Sequence, residues 1–372
     1  MRTILGLMLG LATGALAAAV ASAQTIPPTL GWTHLANTQL RSVCPAGFTN
    51  SCQNVTEAWS SGAFDTTRNR LLIFGGGHLD HFGNEIYSLN LNNLTISRLT
   101  DPGTPTATSC QHAIANGTQP NSRHTYDGMV YNPDQDELFI FGGSLACAAG
   151  TFGTDTWTYS FISNSWRQRI HSGANPTANP GAVASYDPVT KRVFVQDRRR
   201  LFAFDSAANS YTALSGDNCC DIRNYSQTSV IDPVRRKMVV LGQGDAYIYD
   251  LTGANGYQQQ NLITTGGSAV INQDYPGLAY DPVTDRIVAW VGGNVVYSLN
   301  LDTRVWTSVS NASGPAAVFN GTFKRWAYSA ASGVFVVLND VDANASVFRL
   351  TAGGGTPSTS MPPARPTGFS LR

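Results

Sequence analysis

Residues 276–293 read "PGLAYDPVTDRIVAWVGG". A short run ending on Tyr280 meets Asp281 and Pro282, and a hydrophobic run ending on Trp290 is closed by Gly292 and Gly293. Asp-Pro is turn chemistry, because proline fixes φ and the aspartate carboxylate accepts from nearby backbone N–H groups. The run after the turn is too short for a helix and rich in β-branched and aromatic residues, so the two runs read as a strand pair.

The same pattern recurs along the chain. Copies are "SSGAFDTTRNRLLIFGGG" (60–77), "DGMVYNPDQDELFIFGGS" (127–144), "GAVASYDPVTKRVFVQDR" (181–198), "TSVIDPVRRKMVVLGQG" (228–244) and "WAYSAASGVFVVLND" (326–340). Their anchors, Phe64, Tyr131, Tyr186, Ile231, Tyr280 and Tyr328, are spaced by about 45 to 67 residues. Each copy continues into alternating segments such as "EIYSLNL", "DTWTYSF" and "NVVYSLNL", the pattern of half-buried strands. No stretch sustains helical periodicity. Four-stranded units repeated about six times predict an all-β, six-bladed propeller spanning residues 24–350, with seven blades as the alternative. "GWTHL" matches the fourth-strand segments "NSWRQRI" and "TRVWTSV", so Trp32 is expected in the last blade, closing the ring with an N-terminal strand. The anchoring tyrosines, Tyr131, Tyr186 and Tyr280, are expected to serve packing.

The paired glycines (Gly75 and Gly76, Gly142 and Gly143, Gly292 and Gly293), the aromatic before the turn and the later Trp resemble Kelch repeats, of the kind found in the central domain of galactose oxidase. The resemblance covers most of residues 31–350 and speaks to fold more than to function. Copper oxidation of the galactose oxidase type is not expected, because its cofactor needs a cysteine crosslinked to a tyrosine and the cysteines here fall in loops.

Composition narrows the context. Only 13% of residues are charged, against roughly 25% in an average domain. The 24 basic and 24 acidic residues balance, which gives no general field for nucleic acid or an anionic membrane. Residues 1–23 read as a signal peptide ending in Ala21-Ser22-Ala23, implying a secreted or periplasmic protein; no membrane insertion and a monomer are expected. With six cysteines in an exported chain, disulfides are favoured, Cys44 with Cys52, Cys110 with Cys147, and Cys219 with Cys220 as a vicinal bridge. Residues 351–372 form a Gly/Pro/Ser/Thr-rich tail expected to be disordered.

In four-stranded blades the loops before the first strand and those after the second share one face. Counting seven residues back from the anchors gives Glu57, His124, Asn179, Asn224, Gln273 and Gly321 around the channel mouth. Arg123 and Arg223 precede two of them, and Trp59, Tyr126, Tyr225 and Tyr275 lie within two residues. After the glycines, blade one offers His78, Asp80 and His81, and blade three offers Arg198, Arg199 and Arg200. Histidine, arginine and tyrosine on one face suit an anionic sugar, since β-elimination of a uronate needs a base, a cation for the developing charge and a proton donor for the leaving oxygen. Polysaccharide lyases of the ulvan-lyase type are similar in fold and residue types. That resemblance implies His124 or His78 as base and Tyr225 or Tyr126 as proton donor. Arg123, Arg223, Arg198, Arg199, Arg200, His81 and Tyr275 would bind substrate. No cofactor is required, although a divalent metal near His78, Asp80 and His81 is left open; "HLDH" matches no strong zinc spacing. The alternative is a noncatalytic propeller that binds a glycan or a protein.

Overall fold

A computed structural model describes residues 25–352, except 49–50, 104–109, 148, 150, 178–180, 218 and 221–225. The predicted signal peptide and all but the first two residues of the predicted tail lie outside the described residues. Six antiparallel blades, each with four principal strands, are arranged as a propeller, which decides between the six- and seven-bladed readings. Blade one runs Gly62–Asp65, Arg70–Phe74, Ile86–Asn90 and Thr95–Arg98, and blade two Met129–Asn132, Glu137–Phe141, Thr156–Ser160 and Ser165–Gln168. The next three start at Val183–Asp187, Thr228–Asp232 and Gly277–Asp281. Blade three carries an extra parallel strand, Ser172–Gly173, beyond its outer edge. Blade six takes Trp326–Ser329, Val334–Val337 and Ser346–Arg349 from the C-terminal side and Gly31–His34 as its fourth strand, with Trp32 opposite Phe348. The expected ring closure is therefore formed.

Turn chemistry sets each first hairpin. Asp281 accepts from the Val283 N–H at 3.0 Å, Asp232 from Val234 and Arg235 at 2.9 Å, and Asp187 from Val189 at 3.2 Å. Five residues after each anchor the backbone turns left-handed: Asn69, Asp136, Lys191, Arg236, Asp285 and Gly333 all have φ between 50° and 62°. One turn geometry is thus repeated with different side chains, some of them costly in this region.

First strands of neighbouring blades touch one another around the ring, from blade one through blade six and back. Each seam between blades is filled by its own apolar cluster. Leu72, Phe74 and Ile86 of blade one meet Met129, Leu138 and Ile140 of blade two, for example, and Leu71 and Ile73 meet Val334 and Val336 of blade six. All six cysteines are paired as the sequence suggested: Cys44–Cys52, Cys110–Cys147 and Cys219–Cys220. Among the described residues no helix is long and apolar enough to cross a membrane.

Candidate functional site

The loop Gly75 to His81 lies against the strand that leads into blade two. Gly76 N–H donates to the Arg123 carbonyl at 3.1 Å, and Arg123 and His124 pair with Leu145 and Ser144. The loops before first strands and after second strands thus share a face. The glycines permit this approach: a Cβ on Gly77 (φ 43°) would sit 2.2 Å from the His124 nitrogen and 2.4 Å from the Ser144 carbonyl oxygen. No side chain fits there.

Two predicted histidines come together at this contact. The rings of His78 and His124 are stacked with centroids 6.1 Å apart, and His124 Nε2 lies 2.7 Å from Asp80 Oδ2. Trp59 and Tyr126 flank the His124 ring at centroid distances of 5.1 and 5.9 Å. The loop is held from behind, since Asn54 Nδ2 donates to the Asp80 carbonyl at 2.8 Å and Asp80 N–H to the Gly77 carbonyl at 2.9 Å. Burial pushes the His124 imidazole below its ordinary pKa, against the opposing pull of the Asp80 hydrogen bond. His124 and Asp80 side chains are 5% and 36% exposed. His78 is partly exposed and Leu79 beside it open to solvent. Solvent therefore meets His78 and Asp80 first, with His124 orienting the carboxylate from beneath.

Other predicted residues are placed differently. His81 is buried, with Nδ1 3.0 Å from Ser51 Oγ and Nε2 3.0 Å from Glu85 Oε1. It anchors the loop and does not join His78 and Asp80; among the described residues no group of three His, Cys, Asp or Glu is placed to hold a metal. Arg123 is fully buried: its guanidinium forks onto Asp155 at 2.9 and 3.1 Å and donates to the carbonyls of Asn121, Gly142 and His112. All five of its donors are engaged, so it is an internal tie and not a substrate clamp. Although burial alone would raise it, the Asp155 carboxyl is held well below the usual range by Arg123 and His112. Arg199 and Arg200 pair with Asp217 at 2.6 and 3.0 Å, and Arg198 is exposed. Arg223 and Tyr225 lie outside the described residues.

Tyr126 and Tyr275 are buried, and with Trp59 and Phe323 they form an aromatic collar over the channel. Trp59 Nε1 donates to the Tyr275 hydroxyl at 3.0 Å, and Tyr126 N–H to the Trp59 carbonyl at 2.8 Å. These four aromatic residues have φ between 45° and 56°. Bulky side chains rarely adopt that region, and such strain gathers where a structure holds a functional surface. The sequence signalled three of the collar residues by position; Phe323 was missed although it follows Gly321 by the same two residues that separate Trp59, Tyr126 and Tyr275 from their counted positions. The sequence marked Asp80 only as a candidate metal ligand beside His78 and His81; its pairing with His124, 44 residues away, was not foreseen.

Fold and site together define a six-bladed β-propeller with a histidine–aspartate cluster on its channel face. No protein-family model matches the chain, and no curated protein matches it either.

Proposed function

We propose that this is a secreted carbohydrate-active propeller that cleaves a uronic-acid-containing polysaccharide by β-elimination. The observation that carries the reading is the His78–Asp80–His124 cluster beside Trp59, a partly exposed imidazole and an oriented carboxylate next to an aromatic surface. His78 is the group placed to take the proton beside the sugar carboxylate and, as imidazolium, to return it to the leaving glycosidic oxygen, with the His124–Asp80 pair at its side. Arg198, in the loop after the second strand of blade three, is an exposed cation, and sugar rings stack on aromatic faces such as Trp59. The three disulfides support an oxidising destination. The repeat pattern and paired glycines support a Kelch-like ancestry.

The test is the gain of absorbance at about 235 nm expected of an unsaturated uronate product, measured on alginate, polygalacturonate and ulvan. Turnover should fall by roughly 10²–10⁴ in His78→Ala, the range of a lost general base, and persist in Arg200→Ala. A noncatalytic glycan-binding propeller is the second reading, favoured by the internal commitment of Arg123, which leaves the site short of a built carboxylate clamp. Saturable binding with no absorbance gain on any of the three polymers would decide for it.

A further inference from the structure

On the side of the channel remote from the histidines lies a well of about 390 Å3. Its rim is formed by the six anchors, Phe64, Tyr131, Tyr186, Ile231, Tyr280 and Tyr328, one from each blade. The sequence suggested packing for Tyr131, Tyr186 and Tyr280. Tyr131 and Tyr280 do hydrogen-bond to Asp136 and Asp285, each at 2.7 Å, yet Tyr186, Tyr280 and Tyr328 remain partly open to the well. Ala63, Ala279 and Ala327 stand one residue before their anchors and supply the space inside.

The floor is polar and reaches across the ring. Lys324, entering from blade six, pairs with the Asp127 carboxylate, donates to the Asp127 carbonyl at 3.0 Å and lies 3.5 Å from Ser229 Oγ. Ser229 Oγ donates to Asp127 Oδ2 at 2.5 Å, and Ser185 Oγ is 2.9 Å from Ser229 Oγ. Lys324, Ser185 and Ser229 line the well, whereas Asp127 is buried behind them, and among the described residues no carboxylate lines it. A molecule reaching the floor therefore meets one ammonium, paired on one side with Asp127, and two hydroxyl oxygens whose protons point inward, Ser229's to Asp127 and Ser185's to Ser229. The 3.5 Å contact is at the limit of hydrogen bonding, which leaves one ammonium N–H able to turn to a ligand.

We propose that this well is a second ligand site, independent of the channel-face cluster, for a small monocarboxylate with an aromatic or short aliphatic body. The carboxylate would accept from the remaining Lys324 N–H, and the body would lie between the alanines and the tyrosine rim. The volume falls in the range of small-molecule sites, whose walls are mostly apolar with a few convergent polar groups.

Trp326 lines the well, so its fluorescence reports occupancy. Phenylacetate titrated into the full chain should give a saturable change with one site by calorimetry. Phenylacetamide, lacking the charge, should bind about tenfold more weakly, the scale of one lost charge-assisted hydrogen bond. Ala327→Leu, which fills the well from an apolar wall, should abolish binding while leaving the circular dichroism spectrum unchanged. Lys324→Met should erase the preference for phenylacetate over phenylacetamide. If that variant fails to fold, the Ala327→Leu result and the wild-type ratio stand alone. No saturable binding, equal binding of the two compounds, tighter binding of benzylamine, or phenylacetate affinity untouched by Ala327→Leu would each overturn the proposal.

Discussion

At the residue scale, placement separates groups that look alike in sequence. Arg123 and Arg198 are both arginines of the predicted channel face, but one is sealed against Asp155 and the other is open to water. Removing one partner of a buried pair leaves an uncompensated charge, so Arg123→Ala should cost about 3–5 kcal/mol, whereas Arg198→Ala should stay within about 0.5 kcal/mol; urea denaturation of both variants checks the contrast. His124 adds a pH dependence. Its pKa is lower folded than unfolded, so the unfolded chain takes up the proton first as pH falls. Its contribution is present above the ordinary histidine value of about 6.5 and is lost as pH drops from there toward the folded value. Urea midpoints at pH 7.5 and 5.0 should therefore differ, and His124→Gln should narrow the difference. A further loss at more acidic pH is expected from Asp155, whose depressed pKa contributes stability above the unfolded carboxylate value that disappears as the group protonates.

At the scale of elements, hairpins and loops repeat one geometry while their sequences vary. The left-handed residue five places after each anchor is Asn69 in blade one, Lys191 in blade three and Arg236 in blade four. Lysine and arginine carry no sequence signal for that conformation, so this part of the turn was legible only through its Asp-Pro beginning. Strand pairing was legible because alternation and turn residues are local. The closed character of the site was not, because Arg123 becomes internal through Asp155, 32 residues away, and His81 through Ser51 and Glu85. Distances of that kind are set by loops that sequence periodicity does not reach. Gly77 offers a direct test of the loop contact. Gly77→Ala would force a Cβ into the blade-two backbone, whereas Gly117→Ala meets nothing within 4 Å despite a φ of 85°. The first should lower the melting temperature by several degrees more than the second, a difference of about 2 kcal/mol or above.

At the scale of the molecule, stability is spread over seams. On the face around the Asp-Pro turns, ion pairs cross between blades: Arg68 to Asp136, Lys191 to Asp134, Arg236 to Asp187 and Arg235 to Asp285. Asn69 hydrogen-bonds to Ser332, joining blade one to blade six. The seam between blades five and six is filled by Trp290, Trp326 and Phe335, against which Trp32 of the N-terminal strand packs at 5.7 Å from Trp290. Trp32→Ala should therefore cost about 2 kcal/mol by lost burial, and removal of residues through His34 should cost far more, by exposing the edge of Ser346–Arg349; thermal unfolding of the two variants measures the gap. Because Gly31 sits opposite Arg349 in that strand pair, a short linker could splice the two ends and new termini could be cut in a loop between any two other blades. A circular permutant opened between blades four and five would then carry every strand in an unbroken order and keep both faces of the channel intact.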